Sequence, residues 1–163
     1  MTGLVHRDDY YETPPIILDL IQRQTGLTFG LDVCANEQNK ICQSYISEGD
    51  DSLTHDWCMN SECKPTVFCN PPASKNSKFV RKAFEQWNKL NIDIIFLMRW
   101  NDFGNKYGQE CVETPMKWGQ LIERHNLGKV IFYKSGQPSK FPSRLNYCWI
   151  WFKKRPEMLQ IQL

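Results

Sequence analysis

Long apolar segments are missing from this sequence of 163 residues. No run approaches the roughly 20 apolar residues that a membrane-spanning helix needs, and the start, Met-Thr-Gly-Leu-Val-His-Arg, lacks the apolar core of a secretion signal. A large excess of charge is also missing, since the formal net charge is +2. We therefore expect a cytoplasmic protein with no membrane partner, and any nucleic-acid contact would require a local basic patch.

Phosphate-binding glycine motifs and repeats are absent as well. The sequence has neither a Gly-x-Gly-x-x-Gly fingerprint nor a Walker loop, so a phosphate cradle is not indicated. It has no internal repeat and no low-complexity segment. What it does contain is 41% apolar and 13% aromatic residues, which is enough for a hydrophobic core. We predict one domain over residues 1–163, with polar residues 1–9 frayed.

The seven cysteines are an odd number, which agrees with reduced thiols in the cytoplasm and not with a disulfide framework. Zinc is the alternative use of these residues, with His55, Cys58, Cys63 and Cys69 as four ligands. Their spacing does not repeat a zinc-binding pair, and Cys69 falls in a predicted strand, where a thiol packs as a small apolar group. We predict no metal, and a small zinc-stabilised module that binds nucleic acid remains an alternative.

Strand and helix patterns alternate along the chain, which favours an open, mostly parallel α/β sheet with helices on both faces. The first helix is predicted to have Thr13 as its N-cap, Pro14 at its first position and Gly26 at its end. The run 92–98 is nearly all apolar, as in a central strand covered on both faces. The other predicted strands are 29–34, 43–46, 67–69, 129–133 and 145–152, and the other predicted helices are 37–42, 79–87 and 118–124.

A rigid polar corner, Asn70-Pro71-Pro72, follows the strand predicted at 67–69. Each proline fixes its own φ and lacks an N–H, so the chain must leave the sheet there. Asn70 precedes a proline and is therefore biased toward extended backbone. An ordinary β-turn explains the corner without any ligand. The alternative is an amide held at the carboxyl end of a strand, where open α/β sheets bind ligands.

Two carboxylates precede this corner. Asp32 lies within an apolar strand, where a carboxylate is costly unless it finds hydrogen-bond donors. It either caps the helix predicted at 37–42 or faces a cofactor at the sheet edge. Asp51 belongs to an acidic turn. The turn is either a solvated loop, or it places the Asp51 carboxylate as a second acceptor for a cofactor that carries hydroxyl and amino groups.

These motifs form an ordered set across residues 8–152. The set is Glu12-Thr13-Pro14, Leu31–Asn36 with Asn39, Asp51-Ser52-Leu53 with Trp57, Phe68–Pro72, Phe96–Trp100 and Phe141-Pro142-Ser143. In this order and spacing the chain resembles the phage-type DNA N6-adenine methyltransferase family. The resemblance implies a Rossmann-like methyltransferase fold, S-adenosylmethionine as cofactor, DNA as partner and, if the chain is viral, the host cytoplasm as location.

The resemblance also implies residue roles. Asn70, Pro71 and Pro72 match the catalytic motif, in which the Asn70 side chain and the Pro71 carbonyl each accept one N–H of the adenine amine. The amine is a poor nucleophile because its lone pair is delocalised into the ring, and these acceptors would free that lone pair for attack on the sulfonium methyl. The base must first leave the duplex stack. The implied cofactor-binding residues are Thr13, Pro14, Asp32, Ala35, Asp51, Ser52, Leu53 and Asn70.

Two departures from the family pattern concern the substrate. The family places an aromatic residue after the second proline, where it stacks on the extruded base, and this chain has Ala73 there. Trp100 or Phe103 could supply the missing ring. The alternative is that both are core or lid residues. The chain has no sizeable target-recognition domain, so DNA phosphates would need a local basic cluster. The best cluster in the sequence consists of Lys75, Lys78, Arg81 and Lys82.

Three functions remain open from the sequence. The first is an active DNA adenine-N6 methyltransferase. The second is a catalytically weakened or inactive relative that binds cofactor or DNA and has lost turnover through Ala73. The third is the zinc-stabilised module. The oligomeric state, monomer or homodimer, is not specified by any of these motifs.

Overall fold

A computed structural model describes residues 11–47, 51–58 and 64–156 as a mixed α/β structure. The five strands of the main sheet have the spatial order β1-β2-β3-β7-β4, and β5 pairs with β6 in a separate hairpin. The strands are β1 Leu31–Asp32, β2 Val67–Cys69, β3 Ile94–Arg99, β4 Ile122–Gly128, β5 Tyr133–Lys134, β6 Gln137–Pro138 and β7 Tyr147–Phe152. The helices are α1 Pro15–Thr25, α2 Asn76–Leu90, α3 Lys106–Gly108 and α4 Thr114–Lys117, with short 3₁₀ turns at Ala73–Lys75 and Trp100–Gly104 and a π-helical turn, Gln109–Glu113, joining α3 to α4.

The strand directions place several strand ends at one edge of the sheet. β1, β2 and β3 pair in parallel, and β7 pairs antiparallel with both β3 and β4. β4 therefore runs in the same direction as the first three strands, and β7 alone is reversed. The sheet is thus mixed, with a parallel half that matches the expected open α/β architecture. The carboxyl ends of β1, β2, β3 and β4 lie at the edge where β7 begins, which we call the carboxyl edge.

Helices cover both faces of the sheet, as the sequence pattern predicted. Successive strand residues point to opposite faces, so Phe68 and Ile95 pack with Ile17 and Ile21 of α1. The other face carries alternate residues of the same strands and packs against the apolar side of α2. This second cluster includes Val67, Cys69, Ile94, Phe96, Cys148 and Ile150 from strands, and Phe79, Val80, Ala83 and Trp87 from α2. The apolar run predicted at 92–98 is confirmed as the central strand β3.

The predicted start of the first helix was wrong by one position. Pro14 is the N-cap of α1, Pro15 is the first helical residue, and no side chain caps the helix. Thr13 lies before the cap, and its hydroxyl is engaged elsewhere, as described below. The predicted end is confirmed, because Gly26 closes the helix with φ of 70°, a left-handed conformation that glycine adopts without steric cost.

The helix predicted at 37–42 is a turn. Asn36 Oδ1 accepts hydrogen bonds from the backbone N–H groups of Gln38 and Asn39, at 2.9 and 3.1 Å. Asn39 Oδ1 in turn accepts the Asn36 N–H at 2.7 Å. These local side-chain bonds give the backbone an alternative to helical hydrogen bonds. The strand predicted at 29–34 is correspondingly short, and the one predicted at 43–46 is a single bridge from Tyr45 to Asp32.

The helix predicted at 118–124 is also wrong, because the helical segment 106–117 ends just before it. Gly119, with φ of 74°, turns the chain, and the edge strand β4 begins at Ile122. β4 is polar along most of its length, so it lacks the apolar alternation that marks a half-buried strand. The strand predicted at 129–133 is replaced by the β5–β6 hairpin, whereas β7 confirms the one predicted at 145–152. None of the helices in the described ranges has the length and apolar composition needed to cross a bilayer.

Candidate active site

A cavity of about 640 Å³ opens at the carboxyl edge of the sheet. Its wall is built from the loop after β1, from the segment around Ser52 and Leu53, from the corner after β2, and from Arg99 at the end of β3. The β5–β6 hairpin and the first residue of β7 complete it. The strand ends meet here because they are parallel, so segments far apart in sequence share one site. Of the residues predicted for a site, Ala35, Asp51, Ser52, Leu53, Asn70, Pro71, Pro72, Ala73 and Lys75 line this cavity.

The amide of Asn70 has a defined orientation at the end of β2. Its Nδ2 donates to Thr13 Oγ1 at 3.0 Å and to the Tyr11 carbonyl at 3.4 Å. Both amide hydrogens are thereby directed to the segment before α1. No donor within the described residues reaches Oδ1, so that oxygen is the acceptor that Asn70 offers at the cavity. Thr13 and Pro14 do not line the cavity, and Thr13 instead orients Asn70.

Asp32 lies beneath the cavity wall and does not line it. Its Oδ1 accepts the Cys34 N–H at 3.2 Å, and its Oδ2 accepts the Ile41 N–H at 3.3 Å. Only 3% of the residue is exposed, and this burial raises the pKa of Asp32 from 3.8 to about 6, although the two N–H donors oppose the rise. The carboxylate therefore holds both ends of the 33–41 loop, whose residues Val33 to Asn36 form one side of the cavity.

The segment 51–58 is fixed by a buried indole. Trp57 Nε1 donates to the Ser52 carbonyl at 2.8 Å, and the Trp57 N–H donates to Gln86 Oε1 of α2 at 2.8 Å. Both Trp57 and Gln86 are fully buried. Asp51 has φ of 44°, and its Oδ1 accepts the Leu53 N–H at 3.2 Å. This part of the cavity wall is consequently a turn held by hydrogen bonds, and Asp51 within it is exposed, as in the solvated loop considered from the sequence.

A buried carboxylate network borders the corner on its other side. Arg99 donates from Nε and Nη2 to the two oxygens of Asp102, at 2.9 and 3.2 Å. Asn76, at the start of α2, donates to Asp102 Oδ2 at 2.6 Å. Arg99 and Asn76 both line the cavity. Sequence reasoning did not assign them a role, and the available signal was an arginine ending an apolar strand with an aspartate three residues later.

The aromatic residues at the cavity differ from those that the sequence suggested. Trp100 and Phe103 do not line it, and their rings instead pack against the Arg124 guanidinium, at 4.6 and 4.8 Å. Three other rings form a connected group in the cavity wall. Tyr11 stacks on Phe132 with ring centroids 5.6 Å apart, and Phe132 contacts Tyr147 edge-to-face at 4.8 Å. These rings come from three distant segments, so no local pattern in the sequence indicated them.

Comparison with known proteins supports the family suggested by the motifs. The model of the family described as DNA N-6-adenine-methyltransferase (Dam) matches residues 2–134. The chain belongs to this family. Two curated relatives, both called DNA N-6-adenine-methyltransferase, come from Escherichia phage T1 and Haemophilus phage HP1 (strain HP1c1). The T1 protein is 33% identical over 88 residues, and the HP1 protein is 29% identical over 106 residues.

The matched lengths limit what these relatives imply. The T1 alignment covers 53% of this chain and 35% of the relative, and the HP1 alignment covers 65% and 58%. The chain thus spans less than two thirds of either relative. The Dam family match includes the corner at Asn70 and the Asp32 and Asp51 segments but ends before β7. The Tyr147 ring therefore lies outside the matched part of the chain.

Two of the four residues in the predicted basic cluster, which spans the start of α2, lie near acidic side chains. Lys82 is buried, 9% exposed, and its Nζ lies 3.8 Å from Glu85. Arg81 lies 3.8 Å from Glu110. Lys75 lines the cavity, whereas Lys78 is exposed on α2 and does not. Two of the four side chains predicted to contact phosphate, Arg81 and Lys82, therefore lie next to acidic side chains of this Dam family member.

The described part of the chain offers no cluster of three or more His, Cys, Asp or Glu side chains that could hold a metal. Of the zinc ligands considered from the sequence, Cys63 lies outside the described residues. His55 Nδ1 lies 3.2 Å from Thr54 Oγ1, and the buried Cys69 thiol contacts Cys34 Sγ at 3.5 Å. These contacts place Cys69 and His55 in separate environments and do not favour the zinc-stabilised module.

Proposed function

We propose that this chain transfers a methyl group from S-adenosylmethionine to the exocyclic N6 amine of adenine in DNA. The observation that carries the proposal is the orientation of Asn70, whose amide hydrogens are directed to Thr13 and Tyr11 and whose Oδ1 is left as an acceptor at the cavity. Membership in the Dam family supports the same reaction. The reaction needs an acceptor of this kind because the amine must be polarised without early loss of a proton.

The cavity fits a nucleoside-sized cofactor beside a nucleobase. Its volume of about 640 Å³ lies within the ~300–1,000 Å³ typical of small-molecule sites. Ala35 and Leu53 supply apolar wall, and Asp51 and Ser52 supply oxygen acceptors for hydroxyl and amino groups. These residues would hold the cofactor, with Asp32 supporting the loop from beneath. S-adenosylmethionine, when bound, supplies an electrophilic methyl group on its sulfonium.

The corner after β2 would act on the target amine. Asn70 Oδ1 and the Pro71 carbonyl each accept one N–H, which draws the nitrogen toward tetrahedral geometry and localises its lone pair. Pro71 and Pro72 restrict the backbone, so little reorganisation is needed when the base arrives. No strong base is required for this step. As the N–C bond formed, the S–CH3 bond would break to release a neutral thioether, and the positively charged amine would then lose a proton to solvent.

The three connected rings would compensate for Ala73. An alanine after the second proline leaves space where the family places an aromatic residue, and Tyr11, Phe132 and Tyr147 line the same cavity. A base that has left the duplex stack loses stacking energy, and an aromatic wall returns part of it, at about 1–3 kcal/mol per base. We assign the stacking role to this group in place of Trp100 and Phe103.

The fold that we propose is a Rossmann-like methyltransferase domain. The open sheet, the helices on both faces and the cavity at the carboxyl edge support this assignment. Both core clusters lie against the same sheet, which supports one domain. The short π-helical turn in segment 106–117 and the reversed strand β7 belong to this domain.

A transfer assay tests the proposed reaction. Unmethylated DNA is incubated with methyl-labelled S-adenosylmethionine and digested to nucleosides, and the label is identified by chromatography. We expect label in N6-methyl-2′-deoxyadenosine and in no other nucleoside. Cofactor binding by calorimetry without transfer to any DNA would favour the inactive relative. Label in cytosine would contradict the adenine assignment.

Replacing Thr13 tests how Asn70 is oriented. Thr13→Val keeps the side-chain shape but removes the acceptor for Nδ2, so the amide can rotate and direct its N–H groups into the cavity. We expect kcat to fall about tenfold, equivalent to ~1.4 kcal/mol, with a smaller change in KM for the cofactor. Thr13→Ser keeps the hydroxyl and should restore most of kcat. Equal losses in both variants would show that Thr13 acts only through packing.

A further inference from the structure

The connection between β4 and β7, residues 129–146, carries basic residues and no acidic ones. Lys129, Lys134, Lys140 and Arg144 are all exposed. None of the ion pairs in the described ranges involves any of the four. The 71%-exposed ring of Phe141 lies among them, with Lys140 Nζ 5.4 Å from its centre. Unpaired cations interleaved with an exposed aromatic ring are typical of surfaces that bind nucleic acid.

The topology places this connection at the cavity. β4 ends and β7 begins at the carboxyl edge, so residues 129–146 emerge and return beside the site. Lys134, Ser135 and Gly136 line the cavity themselves. A molecule bound to the connection would therefore reach the corner at Asn70 without crossing the protein.

Hydrogen bonds hold the backbone of the connection in place, which fixes the points from which its basic side chains extend. Glu12 and Tyr133 exchange backbone hydrogen bonds of 2.8 and 3.0 Å, and Glu12 Oε2 accepts the Gly136 N–H at 3.0 Å. Val130 and Ser143 tie the two arms together, because the Val130 N–H donates to Ser143 Oγ at 3.0 Å and its carbonyl accepts the Ser143 N–H at 2.7 Å. A preorganised basic surface loses less entropy on binding than a loose one.

We propose that the connection 129–146 is the DNA-docking element, with Lys129, Lys134, Lys140 and Arg144 on the backbone phosphates around the target adenine. The inference rests on the proposed function for the identity of the ligand. We prefer it to the cluster of Lys75, Lys78, Arg81 and Lys82 predicted from the sequence, because Arg81 and Lys82 lie near acidic residues. Phosphate contacts of this kind position the duplex and are independent of its sequence. The arrangement gives this chain a local basic surface for DNA although its formal net charge is only +2.

The test compares two variants with the same loss of charge. The docking variant changes Lys129, Lys134, Lys140 and Arg144 to Gln. The control variant changes three exposed lysines and one exposed arginine to Gln at or near the opposite edge of the sheet: Arg23, Lys64, Lys117 and Lys154. Binding of a fluorescein-labelled DNA duplex is followed by anisotropy over a series of salt concentrations, without cofactor. Thermal melting and far-ultraviolet circular dichroism confirm that both variants are folded.

We expect the docking variant to bind the duplex at least about tenfold more weakly at low salt than the control. The slope of log affinity against log salt should fall by about 0.9 for each phosphate contact removed, and the control should keep the original slope. Equal affinity and equal slope in the two variants would overturn the proposal. If the docking variant alone loses DNA binding while the original protein methylates no DNA, the docking element stands and the proposed reaction fails. If the original protein methylates DNA and both variants bind alike, the reaction stands and the docking element fails.

Discussion

Asn70→Ala is expected to lower kcat for methyl transfer by about 10²–10³-fold, the range found when one preorganised polar group is removed from a reacting centre. The loss follows because Asn70 Oδ1 is the side-chain acceptor at the corner, and the Pro71 carbonyl alone can polarise only one N–H of the amine. Affinity for S-adenosylmethionine should change far less, since Ala35 and the 51–53 segment form most of the wall assigned to it. Single-turnover transfer at saturating cofactor and DNA measures this effect directly.

The matched control for this prediction is Asn88→Ala. Asn88 is exposed on α2, and its Nδ2 donates to the Phe84 carbonyl at 2.9 Å. Asn88→Ala therefore removes an amide side chain that does not line the cavity. We expect its kcat to equal that of the original protein. Removal of Asn70 also leaves Thr13 Oγ1 without a donor, so melting temperatures are compared for both variants. A loss below about tenfold in Asn70→Ala, with the fold intact, would show that another group carries the polarisation.

Local chemistry explains which parts of the site the sequence could predict. The corner at Asn70 was predictable because a short apolar strand followed by two prolines determines its own backbone. Gly26 could be predicted as a helix end for the same local reason. Asp32 was recognised as a buried carboxylate that needs donors, and the donors are the N–H groups of Cys34 and Ile41. Whether Asp32 reaches the cavity surface depends on the conformation of the loop 33–41. Hydrogen bonds of the Asn36 side chain prevent this loop from forming a helix.

Tertiary arrangement explains what the sequence could not predict. The edge strand β4 is polar and contains few β-branched residues, so its assignment depends on pairing with β7, which lies later in the chain, from Gly128 with Tyr147 to Ile122 with Phe152. The rings of Tyr11, Phe132 and Tyr147 meet only because the segment before α1 pairs with the β5–β6 hairpin. The neutralisation of Arg81 likewise requires the segment 106–117 to pack on α2. None of these contacts leaves a periodic pattern in one stretch of sequence.

Asp32→Asn is expected to gain stability relative to the original protein as the pH rises from below 4 to neutral, and to weaken the binding of cofactor. Burial raises the pKa of Asp32 from 3.8 to about 6, so the folded protein holds a proton there that the unfolded chain releases. The stability that this proton confers is complete below pH 3.8 and is lost as the pH rises to about 6. The loss is on the order of 3 kcal/mol, at about 1.4 kcal/mol for each pH unit between the two values.

The asparagine variant does not titrate, so its stability relative to the original protein should rise across this window and level off above it. Denaturant unfolding at several pH values from below 4 to above 7 measures the divergence. Parallel curves for the two proteins would contradict the shifted pKa.

Asparagine offers one acceptor oxygen, so it can serve only one of the two N–H groups that Asp32 binds, and the 33–41 loop should loosen. Weaker calorimetric binding of S-adenosylmethionine by a variant whose relative stability rises with pH would separate the two roles of this residue. The carboxylate costs stability at neutral pH because it is buried, and it shapes the cavity wall because an ionised carboxylate can accept both bonds.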